Sequence, residues 1–295
     1  MIRQADHSRK VWQSHLSRER VEESAPGAIM RQSDRHTEKD MEEQALLQEA
    51  TQKADYGQDV PGLVRDKFLT GGILAALGVF MWMGAKPRQK MTGRLLALLG
   101  LATLVMSVLS ALEGLALILG SQVGKPRLRD SLLDGLHLQG SEAVLDVGCG
   151  HGLLLIGAAK RLPHGKAVGI DLWSQVDQAN NSRTATLANA QAEGVADRVE
   201  VRDGDMRELP FANNSFDAVI ASQAVHNIED PVGRRQAIRE IVRVLKPGGK
   251  VALMDIFCID EYREALQTYG MQHVHVSGRN FWYYPPARIV TAMKM

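Results

Sequence analysis

Residues Val144–Gly152 read Val-Leu-Asp-Val-Gly-Cys-Gly-His-Gly, an apolar run that passes through one acid into three glycines at alternate positions. Few folds accommodate such a stretch. It reads as a buried parallel strand ending in a tight loop that opens a helix. Glycine takes positive φ there at little cost, and its missing side chain lets backbone N–H groups come close to a ligand. The loop is therefore expected to cradle a nucleotide-like cofactor. A dinucleotide site wants G-x-G-x-x-G, whose third glycine would fall at Leu153, whereas here it falls at Gly152. The Gly-Lys-Ser/Thr ending of a P-loop is absent. Asp146, just before the turn, would repel a pyrophosphate and suits a ligand carrying positive charge, such as an ammonium or a sulfonium.

Further short apolar runs follow in order. Lys166–Asp171 ends in an acid 25 positions after Asp146, about the length of one strand–helix–strand unit. An acid at that strand end can accept both hydroxyls of a ribose, and Leu172 and Trp173 offer apolar surface for an adenine ring. Arg198–Asp203 leads into Gly204-Asp205-Met206, where Asp205 can accept from an adenine amino group; Asp203 comes too early and is expected to serve the loop. Phe216–Ser222 is a fourth strand. Leu245–Gly249 is expected to end a helix and lead into a fifth strand at Lys250–Asp255. Helix signals alternate with these runs at Arg127–Leu138, His151–Leu162, Asn181–Glu193, Asp230 to about Leu245, and Glu261–Tyr269. The last two β-like runs, His273–Ser277 and Arg288–Lys294, predict an antiparallel hairpin at the sheet edge. The fold class is α/β, a doubly wound, mostly parallel sheet. Ligands of such sheets bind beyond the carboxyl ends of the strands, where Asp146, Asp171, Asp205 and Ser222 all fall.

Taken together, Lys125–Met295 resembles the class I S-adenosylmethionine-dependent methyltransferases, most closely the broad small-molecule group called type 11. The resemblance implies a seven-stranded Rossmann-like methyltransferase sheet with S-adenosyl-L-methionine as cofactor. It also implies residue roles. Asp146, Gly148 and Gly150 would hold the amino-acid half of the cofactor, Asp171 the ribose, and Leu172, Asp205 and Met206 the adenine. The segment after the fourth strand, Gln223–Asn227, is where this family meets its acceptor. Asn-Pro-Pro-Tyr, typical of enzymes that methylate planar amide or base nitrogens, is missing there, which counts against a nucleic-acid or glutamine-amide acceptor. His226 is the candidate base, because imidazole titrates near neutral pH; a histidine that only caps the loop is the alternative. His137, His151, His164, His273 and His275 show no comparable context. Cys149 has no partner base in view and reads as a small loop residue.

Before this domain the chain changes character. Phe68–Ala85 and Leu95–Leu112 are each 18 residues without a charge, long enough with their flanks to cross a bilayer. Ser107, Ala111 and Gly114 place small residues at helical spacing for close helix contact. Glu113 is expected near the headgroups. The linker Lys86–Arg94 carries Lys86, Arg88, Lys90 and Arg94 and pulls toward the cytoplasm. The domain that uses a cytosolic metabolite pulls its own end the same way, as do Arg65, Lys67, Lys125, Arg127 and Arg129. The expectation is a two-span, multi-pass hairpin at 61–124 with both ends and the catalytic domain cytoplasmic. Residues 1–60 are dense in charges of both signs and predict a flexible extension, with a helix over Thr37–Ala54.

A formal charge of +1 gives no reason to expect nucleic acid, and the two cysteines have no metal spacing. The catalytic domain has no insertion of lid size, which would leave the hairpin near the open side of the site. The aromatic group Phe281–Pro286 either walls the acceptor pocket, sits at a headgroup interface, or packs the terminal hairpin. The expected function is membrane-anchored methyl transfer to a small, lipophilic acceptor, with that acceptor and the membrane lipid bilayer as partners. The alternatives are a non-catalytic membrane adaptor that binds the same cofactor and an NAD(P)-dependent reductase, the latter disfavoured by Gly152 and Asp146.

Overall fold

A computed structural model of the chain describes residues 53–57, 60–85, 91–174 and 180–295, all within one compact unit, Lys53–Met295. The expected helix at Thr37–Ala54 lies outside these residues except for its last two positions, and Lys86, Arg88 and Lys90 lie outside them altogether.

Seven strands form one sheet in the order β3-β2-β1-β4-β5-β7-β6. They are β1 (Ala143–Val147), β2 (Lys166–Asp171), β3 (Val199–Asp203), β4 (Phe216–Ser222), β5 (Leu245–Asp255), β6 (Gln272–Val276) and β7 (Arg288–Met293). The first five run parallel, and β7 inserts antiparallel between β5 and β6. Residues of β1 alternate between the two faces. Leu145 and Val147 pack toward α6 (Pro231–Val244) and α7 (Ile259–Thr268), among Ile238, Ile241 and Tyr262. Val144 packs on the other side with α3 (Lys125–Leu136) and α4 (Leu153–Lys160), among Leu128, Leu133 and Leu155. A short helix, α5 (Arg183–Ala192), completes that layer, with Ser182 capping it through the Ala185 amide. Burying both faces explains why the parallel strands read as nearly continuous apolar runs.

One boundary differs from expectation. Helix α6 stops at Val244, and Leu245 already pairs with Phe216, so Leu245–Gly249 belongs to the strand rather than to the end of the helix. The register then shifts between Phe216 and Ala218 before pairing resumes at Lys250, because Pro247 offers no ladder donor and Gly248 takes φ +80°.

Two further helices precede the sheet, α1 (Pro61–Gly84) and α2 (Thr92–Leu119). Both are long and apolar enough to cross a membrane, and 11% and 6% of their most apolar windows are buried. Soluble core helices bury their apolar side chains; these expose Phe80, Leu98 and Leu101. Apart from Val64 and Leu117, what they bury is small. Val64, Gly71 and Gly78 on α1, and Gly93, Gly100 and Gly114 on α2, recur at spacings of seven or its multiple and are buried, the period that keeps one face on a partner. A Cβ on Gly100 would lie 2.9 Å from the Gly78 carbonyl oxygen. Ser107 and Ser110 donate to the carbonyls of Gly71 and Lys67, both at 2.7 Å. Helix α2 then passes through a wider π-type turn, Gly120–Gly124, directly into α3, making one continuous helix Thr92–Leu136.

Candidate active site

The carboxyl ends of the parallel strands open into a cavity of about 880 Å³, at the upper end of the range for small-molecule sites. It is lined by Asp146, Gly148, Gly150, Asp171, Leu172, Asp205, Met206, Ser222 and His226, all expected there, but not by Trp173. The strand periodicity brings them together, since each acid ends or nearly ends an apolar run and the parallel register aligns those ends.

Within the glycine loop, the reading of bare amides facing a ligand needs correction. The Gly148 and Cys149 amides donate to the Ile170 carbonyl at 2.8 and 3.1 Å. The Gly150 amide donates to Asp171 Oδ2 at 2.8 Å, and the Gly152 amide to the Cys149 carbonyl at 2.8 Å. The first three donors fasten the loop to the end of β2, and the fourth closes the loop on itself. Glycine is needed for conformation and space: Gly148 has φ +73°, and a Cβ there would collide with the Ala224 methyl. Cys149 is buried, and burial first, then the Asp146 and Asp171 charges, push its thiol well above the ordinary range, so it is no nucleophile.

Asp146 is 2% exposed, and its Oδ2 has no hydrogen-bond partner among the described residues. Burial, with a smaller contribution from the Asp171 charge, pushes its carboxyl up to about 8 against the opposing Leu155 amide. An unsatisfied carboxylate oxygen on a cavity wall calls for a cationic donor.

Asp171 accepts from the Gly150 amide, from the Trp173 amide at 2.6 Å and from Asn181 Nδ2 at 3.3 Å. Trp173 departs from expectation. Its left-handed backbone (φ 60°) turns the indole away, its Nε1 donates to Asp203 at 2.7 Å, and it does not line the cavity. Asp203 thus serves the loop, and Leu172 alone of that pair lines the site. Asp205 is held by the Arg207 guanidinium at 2.6 Å, which keeps its carboxyl below the usual range.

Beyond β4, His226 sits on a short turn, Val225–Asn227, with its Nδ1 2.7 Å from Asp255 Oδ1. Asp255 is buried at the end of β5 and accepts from the Tyr262 hydroxyl at 2.9 Å and the Ile256 amide at 2.8 Å. Burial and the neighbouring Asp255 push the Tyr262 hydroxyl far up, so it stays a donor. The group can hold an imidazole in one orientation and stabilise its protonated form. Sequence reasoning named His226 but missed Asp255, although Asp255 ends the fifth apolar run as Asp146 and Asp171 end the first two.

His151 has no sequence context that marks it, yet it is buried on the cavity wall, with Nδ1 3.2 Å from the Asp55 carbonyl. The same carbonyl accepts from Asn189 Nδ2 at 2.7 Å, and the Asp55 amide donates back to Asn189 Oδ1 at 2.9 Å. Segment 53–57 is thereby strapped beside the glycine loop, with Tyr56 lining the cavity and its hydroxyl bonded to Glu193. Of the aromatic group, Tyr283 is buried on the wall, Tyr284 and Pro285 also line it, and Phe281 and Trp282 are exposed.

The chain has relatives among known proteins. Residues 145–253 match the family described as a methyltransferase domain. The chain is 31% identical over 156 residues to a demethylmenaquinone methyltransferase of Lactiplantibacillus plantarum, covering 52% of this chain and 62% of that protein. It is 36% identical over 134 residues to the 27-O-demethylrifamycin SV methyltransferase of Amycolatopsis mediterranei, covering 45% of each. The chain spans about half the length of these relatives. Among solved structures, the [4+2]-cyclase SpnF shares the fold, with a TM-score of 0.51 at 22% identity over 59% of this chain and 82% of that one.

Proposed function

We propose that this chain, whose residues 145–253 are a class I S-adenosylmethionine-dependent methyltransferase domain, is a membrane-anchored enzyme that methylates a small lipophilic acceptor. The [4+2]-cyclase SpnF shares this fold, so fold alone does not carry this reading. The observation that carries it is Asp146: a buried carboxyl group on the cavity wall beside the glycine loop, with one oxygen unpartnered among the described residues.

The residues fit S-adenosylmethionine. Asp146, Gly148 and Gly150 would hold its amino-acid half, the Asp146 carboxylate taking the ammonium. Asp171 would meet the ribose, with Leu172, Met206 and Asp205 around the adenine and Ser222 at the floor. For Asp205 this means sharing its oxygens with Arg207. When bound, the sulfonium supplies a methyl group whose carbon–sulfur bond breaks with its electron pair left on sulfur. Such a displacement needs chiefly alignment. The proton of a hydroxyl or thiol acceptor would pass to His226, and Asp255, fixed by Tyr262, would hold the imidazole and stabilise the resulting imidazolium.

The membrane part of the proposal rests on the exposed apolar surface of α1 and α2 and on their glycine seam, which is how helices associate where no hydrophobic force draws them together. With a cytosolic methyl donor, the catalytic end of the hairpin would face the cytoplasm. The test is calorimetric titration of the full chain in lipid nanodiscs with S-adenosylmethionine, and with NADPH in parallel, followed by mass spectrometry of a lipid extract incubated with isotopically labelled donor. The proposal expects donor binding and a labelled lipid-phase product. Donor binding without any product would favour the adaptor; NADPH binding alone would favour the reductase.

A further inference from the structure

The cavity does not end at the sheet. From His226 its wall continues through Tyr283 to Leu117, in the last turn of α2, and to Leu63, in the first turn of α1. Leu117 is buried, whereas Leu63 is 45% exposed, so the apolar wall runs from the interior to the outer surface of the helix pair. The join depends on the π-type turn. A Cβ on Gly120 would lie 3.0 Å from the Tyr284 amide nitrogen, and one on Gly124 would run into the Trp282 carbonyl. Glycine at both places lets the aromatic loop close on the helix.

The level of this opening is marked by polar anchors. Lys67 Nζ lies 2.7 Å from Glu113 Oε2, the Tyr284 hydroxyl 3.0 Å from Glu113 Oε1, and the Arg127 guanidinium 4.3 Å from the Trp282 ring centre. Aromatic and basic side chains of this kind sit at headgroup depth. Immediately beyond them begins the uncharged stretch Phe68–Ala85. An apolar tail crossing this threshold passes from one apolar surface to another, while a fully polar acceptor would have to be desolvated against it.

At the inner end stands Gln223. It has φ 53°, a left-handed conformation that a non-glycine residue rarely adopts, and its buried Nε2 has no hydrogen-bond partner among the described residues, although the residue lines the cavity. Strain held at a cavity wall, together with an unused amide donor three residues before His226, calls for an oxygen on the bound molecule.

We infer that the acceptor is an amphiphile of the bilayer with a hydroxyl-bearing head group, that it enters between the first turn of α1, the last turn of α2 and the aromatic loop, and that Gln223 donates to its head oxygen while the tail stays against Leu63 and Leu117. This rests on the methyl-transfer reading above. Gln223 here binds and orients the head; the hydroxyl proton still goes to His226.

The test uses the full chain in phosphatidylethanolamine–phosphatidylglycerol nanodiscs with a 4-alkylphenol carrying a diazirine midway along its tail, and S-adenosylhomocysteine affinity measured alongside by calorimetry. Cross-links are expected on peptides holding Leu63, Leu117 or Tyr283. Leu117→Trp, which fills the opening, should cut that labelling about tenfold while cofactor-product affinity stays within about twofold. Gln223→Ala should weaken capture of the phenol but not of the matching alkylbenzene probe, which lacks the head oxygen that accepts from the Gln223 amide. Leu63→Trp, at an exposed position, gives the same block if Leu117→Trp does not fold. Labelling confined to outward residues such as Leu98 and Leu101, or undiminished by both tryptophans, overturns the inference. A wild-type chain without affinity for S-adenosylhomocysteine overturns the methyltransferase reading, and the inference with it.

Discussion

His226 Nδ1 lies 2.7 Å from Asp255 Oδ1, across the carboxyl ends of the neighbouring strands β4 and β5. Because Asp255 also accepts from Tyr262 and the Ile256 amide, its carboxylate is fixed on several sides. Asp255→Asn should therefore lower kcat by roughly 10²-fold, the scale of a disabled acid–base group, with little change in S-adenosylmethionine affinity. Tyr262→Phe leaves a buried oxygen short of a donor and should lower stability by about 1–3 kcal/mol. Steady-state kinetics and thermal unfolding of the two variants check both.

Asp146 makes a pH prediction. Its carboxyl is raised from the ordinary carboxylate range to about 8 in the folded protein. The folded state thus binds the proton more tightly than the unfolded chain. Its contribution to ligand-free stability is fully present below about pH 4 and is lost as pH rises through about 8. Asp146→Asn should flatten that loss. A cationic ligand favours the carboxylate, so wild-type binding at pH 6.5 should release roughly one proton, seen as a dependence of calorimetric heat on buffer ionisation enthalpy. The Asn variant should bind weakly and release none.

The strap over the glycine loop depends on Asn189, which both donates to and accepts from the Asp55 main chain. Asn189→Ala removes three hydrogen bonds, two to the Asp55 main chain and one to the His151 carbonyl, and should weaken cofactor binding by roughly tenfold or more, at about 0.5–1.5 kcal/mol per bond. Limited proteolysis should then cleave near residues 53–57 faster than in the wild type.

In the helix pair, Gly100→Leu should cost about 1–3 kcal/mol by overpacking against Gly78. Ser107→Ala, which loses the bond to the Gly71 carbonyl, should cost only about 0.6 kcal/mol. Unfolding scans in nanodiscs distinguish the two.

The order of strands and the acids at their ends were legible because burial on both faces forces apolar runs, and a run must end where the chain meets ligand or solvent. Asp146 and Asp171 could be read in this way. Asp255 carried the same mark, but its role depends on His226 arriving from another strand, which periodicity does not reveal. The engagement of the loop amides is not legible in sequence, because three of them bond to Ile170 and Asp171 on the next strand. The direction of Trp173 is hidden in sequence because it follows from one left-handed residue. Asn189 and His151 act through segment 53–57, distant in sequence and unmarked in composition.

The uninterrupted helix from Thr92 to Leu136 leaves no hinge between α2 and the domain it carries. Whatever tips one tips the other. If α2 crosses the bilayer as proposed, thinner lipids would lean this shaft and sink the opening beside Leu63 toward the acyl chains, while thicker ones would lift it clear. Turnover would then track acyl-chain length and the surface density of acceptor, and bulk concentration would be the wrong axis on which to plot it.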